Sequence, residues 1–203
     1  MKYSNDSNTD FSRRIPEGLE DKLFLERWSP RSFKKEEIPT EDLSTIFGAA
    51  RWTQSCFNEQ PWLFITESGE GDREIFENLL LPQNASWAKS ASLIGFIFSK
   101  NNFQHNNKPN RWAGFDTGAA WMAMALQARF LGLYTHGMAG IKKDEVYIKL
   151  NVSPEEYQIQ CGFVIGVQDK PEKLGEELRS REFPSGRKAL AEIWKKGVLP
   201  WNG

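Results

Sequence analysis

The run from 115 to 131, FDTGAAWMAMALQARFL, is apolar on nearly every side, and small residues alternate in it with large ones. A helix without a polar stripe is covered all round, here by its own domain on one face and by a second subunit on the other. Gly132 supplies a stop directly after it. This segment predicts a layered fold around one buried helix, and it predicts self-association. The length of 203 residues fits that picture, because a chain of this size forms one domain that buries roughly 70% of its unfolded surface.

Charge and composition remove other classes. Lys+Arg number 26 against 27 Asp+Glu, a net charge of -1, so the basic excess of a nucleic-acid binder is missing. No run reaches the ~18 apolar residues of a membrane span. The opening MKYSNDSNTD has no apolar stretch like that of a secretory signal, and Cys56 and Cys161 make no CxxC pair. The expectation is a cytoplasmic protein with neither a nucleic-acid nor a membrane partner.

Residues 1–14 are polar and aperiodic and read as a mobile tail, leaving 15–203 as a single domain. PEGLEDKLFLER has helical spacing and is broken by Trp28-Ser29-Pro30; the KKEE run that follows Phe33 reads as a solvated loop. Thr40 is a good N-cap for a helix whose Leu43, Ile46, Phe47 and Ala50 form one stripe. WLFIT, SLIGFIFSK and QIQCGFVIGVQ read as strands. SGEGDREIFENLL, KKDEVYIKLNV and RKALAEIWKKG read as helical, and NNFQHNNKPN and EELRSREFPSG as connections. The mixture is α+β.

Ordinary catalytic patterns are missing. The two histidines, His105 and His136, lie in no HExxH, and no GxSxG, GxxxxGK[ST] or GxGxxG occurs. Cys56 sits in a polar loop with no base or helix N-terminus in the sequence beside it. An enzyme built this way leaves the hard chemistry to a cofactor. Three segments could hold one. Arg27-Trp28-Ser29-Pro30-Arg31-Ser32-Phe33 places two guanidiniums and a hydroxyl around a proline turn, which suits an anion. Ser55-Cys56-Phe57-Asn58-Glu59-Gln60-Pro61-Trp62 offers amide edges that can read a ring. Ser185-Gly186-Arg187-Lys188 puts two cations at the expected start of the last helix, where an anion makes sense of them. Aromatics at 13% serve either a ring-rich core and interface or a flat ligand.

In order, these pieces resemble the FMN-dependent nitroreductase family. The resemblance runs over residues 20–196: RWSPRSF, Ile38-Pro39 before TEDL, QSCFNEQPWLF, Asp116-x-Gly118-x-Ala120, MAGI at 138–141, GFVIGVQ and RKALAEI. It implies a three-layer α+β fold, a central mainly antiparallel sheet flanked by helices, in a homodimer with FMN at the interface. Arg27 and Ser29 would then meet the FMN phosphate, with Arg187 and Lys188 closing on it. Trp28 takes a place the family fills with Arg or His. Arg31 would sit near N1 and O2 of the flavin, Asn58 on the pyrimidine edge with Ser55 and Gln60 in the same loop, and a backbone N–H of Ala139 or Gly140 at N5. No side chain is expected to be catalytic. The implied activity is ping-pong hydride transfer from NAD(P)H to a small-molecule acceptor such as a nitroaromatic or quinone. Dehalogenation, flavin cleavage or non-enzymatic flavin binding on the same fold are the alternatives.

Overall fold

In the computed structural model, which describes residues 2–4 and 7–199, the axis is β5, Tyr157–Gln168. Its run of apolar and small residues from Cys161 to Val167 suits a strand covered on both faces. β3, Leu93–Lys100, pairs antiparallel along one edge of it, from Leu93 opposite Ile165 to Lys100 opposite Tyr157, and β2, Trp62–Thr66, flanks β3. The other edge of β5 is shared. β4, Tyr134–Met138, takes residues 162–166, and the short β1, Phe33–Lys34, takes Val167 and Gln168. All pairings are antiparallel.

Side chains alternate across this sheet as the pleat requires. Leu93, Ile97, Phe163, Ile165 and Val167 meet Ile46 and Ala50 of α2, Thr40–Arg51, and Ala120, Met124 and Ala128 of α5, Ala113–Leu131. Ile94, Phe96, Phe98 and Val164 point the other way. There they meet Phe76 of α3, Glu70–Asn78, Trp87 of α4, Pro82–Ala88, and Val146 of α6, Lys143–Lys149. The result is three layers, helices on sheet on helices. Gly95 makes room for the ring of its cross-strand partner Phe163, which a Cβ there would approach to 2.5 Å.

Several expectations need correction. The first helix, α1, is only Lys22–Glu26, capped by the Asp21 carboxylate on Leu23 N–H at 2.8 Å, and Leu19 lies outside it, fully exposed. The cap of α2 is Pro39, not Thr40, and its buried stripe is Asp42, Ile46 and Ala50, with Leu43 and Phe47 half-buried. EELRSREFPSG, read as a link, contains α7, Glu176–Arg179; the closing helix α8 is one turn, Leu190–Ile193. Met1, Asn5 and Asp6 of the expected tail, and residues 200–203 of the expected domain, lie outside the described residues. The rest of the tail is docked. Tyr3 N–H donates to Leu131 O at 2.8 Å, Tyr3 Oη donates to Asp42 Oδ2 at 2.5 Å, and Tyr3 and Arg14 are buried.

α5 is covered on one side only. Ala113, Asp116, Thr117, Ala120, Met124, Ala125 and Ala128 face the domain, whereas Phe115 and Phe130 are 74% and 67% exposed in the single chain. Among the described residues no helix is long and apolar enough to cross a membrane.

Candidate active site

The loop 27–32 between α1 and β1 has its backbone fixed from distant parts of the chain. Arg14 Nη1 donates to Leu25 O and Arg27 O, each at 3.3 Å. His136 Nδ1 lies 2.8 Å from Pro30 O, which can only accept, so that nitrogen carries the proton. The Glu182 carboxylate accepts from Arg31 N–H at 2.7 Å and from Ser32 N–H at 2.8 Å. Ser32 Oγ donates to Lys170 O at 2.6 Å, and Ser32 O accepts from Asp169 N–H at 2.9 Å. A loop whose polar backbone groups are taken up in this way holds its side chains in preset directions.

Those side chains open on a cavity of about 300 Å³. Arg14, Arg27, Arg31, Arg181 and Arg187 line it with Trp28, Ser29 and His136, and among the described residues no carboxylate does. Two of these guanidiniums, Arg14 and Arg27, are disfavoured by burial and by their cationic neighbours. Burial, then Arg187 and Arg27, push Arg14 down to about 10; burial, then Arg187, lowers Arg27. Converging cations in a cavity that no acid lines are stabilised by a bound anion. His136 adds no charge, because burial pushes it down to about 4, and its ring lies 4.6 Å from that of Trp87.

Arg31 and Arg181 also border a larger cavity of about 790 Å³, walled by Phe33, Trp87 and Asn84. Asn84 Nδ2 donates to Gly140 O at 3.0 Å, and Leu81 N–H donates to the same oxygen at 3.0 Å. A Cβ on Gly140 would stand 2.6 Å from Asn84 Nδ2, so a side chain there would displace the Asn84 amide from this position. The groove therefore runs from the arginines past Arg31 to Asn84, which touches Gly140.

Arg27, Trp28, Ser29, Arg31 and Arg187, predicted from two ends of the sequence, thus line one cavity. Trp28 does so with its ring in the core, edge-on to Tyr134 at 6.4 Å, where its indole Nε1 finds no partner. Arg187 stands in a loop ahead of the single-turn α8, not at a long helix N-terminus, and donates locally to Ser185 O and Gly186 O. Lys188 is exposed and lines neither cavity; Ala139 is exposed beside Gly140.

Ser55, Asn58 and Gln60 lie elsewhere. They line neither cavity, and their loop is tied to the start of α5 by Cys56 N–H on Asp116 Oδ2 at 3.0 Å. Phe57, Asn58 and Gln60 have φ of 55°, 54° and 51°. Three left-handed non-glycine residues in one short loop mark a strained, preset conformation. Gln60 N–H on Ser55 Oγ at 2.9 Å helps hold it. Asn84, Arg14, His136 and Glu182 escaped the sequence reading; each acts through a long-range contact that carries no local motif.

A helix-flanked antiparallel sheet is the frame this chain shares with known proteins. Residues 25–93 match the Nitroreductase family. A crystal structure described as an oxidoreductase containing FMN is 39% identical, with a TM-score of 0.87 over 92% of this chain and 96% of that one. The chain belongs to the nitroreductase family. Two more distant structures share the fold. A nitroreductase in complex with FMN from Desulfovibrio desulfuricans is 20% identical, with a TM-score of 0.69 over 88% of this chain and 96% of that one. CLA-ER, an enone reductase of gut-bacterial fatty acid saturation, is 18% identical, with a TM-score of 0.69 over 88% and 97%. No curated protein matches.

Proposed function

We propose that this protein is an FMN-dependent NAD(P)H oxidoreductase. The observation that carries this reading is the cavity that five arginines and, among the described residues, no carboxylate line, built on the Arg27–Ser32 loop. A phosphate monoester, nearly dianionic at neutral pH, is the charge such a site is made for. Arg27, Ser29 and Arg187 would hold the FMN phosphate with Arg14 behind them; Arg31 and Asn84 would hold the pyrimidine end. Bound FMN supplies the redox chemistry, accepting hydride from NAD(P)H and passing it to a nitroaromatic, quinone or similar acceptor in a ping-pong cycle.

The rest of the site would come from a second copy. The strained 55–60 loop rides on the start of α5, and α5 carries the uncovered apolar face of Phe115, Gly118, Met122 and Phe130. A homodimer that buries this face would bring Ser55, Asn58 and Gln60 of each chain to the groove of its partner.

The test is direct. Protein purified with added FMN is expected to be yellow and to bleach with NAD(P)H in the absence of oxygen. An acceptor screen followed by nicotinamide oxidation then identifies the substrate class. Protein that stays colourless with excess FMN overturns the reading. Flavin uptake without NAD(P)H oxidation by any acceptor reduces it to a binding protein.

A further inference from the structure

Glu182 lies in none of the motifs that carry the family resemblance and does not line the arginine cavity, yet it is the acid that faces Arg31. Its side chain is completely buried. One oxygen, Oε1, accepts both backbone N–H groups of Arg31 and Ser32, at 2.7 and 2.8 Å. The other, Oε2, has no hydrogen-bond partner and stands 3.8 Å from Arg31 Nη1. The same carboxylate thus holds the main chain of Arg31 and faces its guanidinium.

Burying a carboxylate costs several kcal/mol unless it is well paired. Burial indeed pushes Glu182 up, against the Ser32 and Arg31 N–H groups and the Arg31 charge. The two backbone contacts do not require that charge, since an amide oxygen accepts N–H equally well in number. What an amide would not supply is the negative charge beside Arg31.

We propose that Glu182 is a positioning residue that fixes the Arg31 backbone and, through its charge, sets how much positive potential Arg31 presents to the flavin. The inference rests on the FMN reading above. Reduction places negative charge on the flavin, and a positive group beside it favours the reduced form. The Glu182 carboxylate offsets part of that help and keeps the bound flavin a stronger reductant.

Two variants separate the roles. Glu182→Gln keeps the acceptor for both N–H groups and removes the charge. It is expected to bind oxidised FMN within about threefold of the parent. Its preference for reduced over oxidised flavin should rise about tenfold, which is an upward shift of about 30 mV for a two-electron couple. Glu182→Ala removes both functions and is expected to bind oxidised FMN at least about tenfold more weakly. FMN fluorescence quenching measures the affinities and spectroelectrochemistry the potential, while apoprotein melting checks folding. If Glu182→Ala does not fold, the Gln variant carries the test alone. A Gln variant with the parent's potential overturns this inference and leaves the FMN reading standing. A parent that takes up no FMN overturns both.

Discussion

Arg14, Arg27 and Arg187 come from the N-terminal segment, the first helix end and the last loop; Arg187 and Arg27 make Arg14 harder to charge, and Arg187 does the same to Arg27. A folded protein that gathers like charges gives up stability it recovers on binding the opposite charge. Arg187 is the member to remove, because it is exposed and anchored only to its own loop. Arg187→Ala is expected to weaken FMN binding about 10- to 100-fold, the loss of one charge-assisted contact worth about 1.5–3 kcal/mol. The apoprotein melting temperature should stay level or rise. A variant that keeps the parent's affinity would remove Arg187 from the site. The sequence makes this cluster legible, since Arg27, Arg31 and Arg187 sit in recognisable motifs. Glu182, Asn84 and His136 are illegible for a physical reason. Each works on a backbone atom far along the chain, Arg31 N, Gly140 O and Pro30 O, and such a contact leaves no mark in residue spacing.

Elements were legible where a pattern is long and unbroken. β3, β5 and the existence of α2 follow directly from apolar runs and helical spacing, although the buried stripe of α2 includes Asp42 and leaves Leu43 and Phe47 half-buried. β4 is read poorly because YTHGM has mixed polarity; its strand state comes from pairing with residues 162–166 of β5. α8 fails in the other direction. RKALAEI has helical composition, but the described α8 is largely exposed and makes one turn, so packing adds little to propensity. The N-terminal segment is the instructive case, because polar aperiodic sequence does not preclude docking through backbone and side-chain hydrogen bonds. Its seat is Gly132, with φ of 105° and an added Cβ only 2.1 Å from Tyr3 O. Gly132→Ala is expected to cost about 1–3 kcal/mol, from the left-handed backbone and the clash together. The loss is read as a lower urea midpoint, with faster proteolysis confined to residues before about Arg14. A variant with unchanged midpoint and unchanged cleavage would show that Tyr3 does not need this seat.

The single chain leaves two things unfinished at once. One is the apolar face of α5, where Phe115 and Phe130 stand in solvent and Gly118 has nothing within 4 Å of an added Cβ. The other is the proposed flavin groove, which the amide-bearing 55–60 loop, tied to the start of α5, does not line. One association settles both, if the face of one chain packs on the face of another and each loop completes the partner's site. Specific interfaces bury about 800 Å² per partner, and one buried, unpaired charge at the centre is enough to break such a contact. Gly118→Glu supplies that charge without a clash inside the chain, and it gains slightly in helix propensity. The variant is expected to sediment as a monomer where the parent sediments as a dimer, with an apoprotein that remains folded by circular dichroism. Its FMN affinity should fall at least about tenfold, although every arginine of the groove is untouched, because the contacts of Ser55, Asn58 and Gln60 are lost together. A folded monomer that binds FMN as tightly as the parent would place the whole flavin site within one chain and remove the 55–60 loop from it.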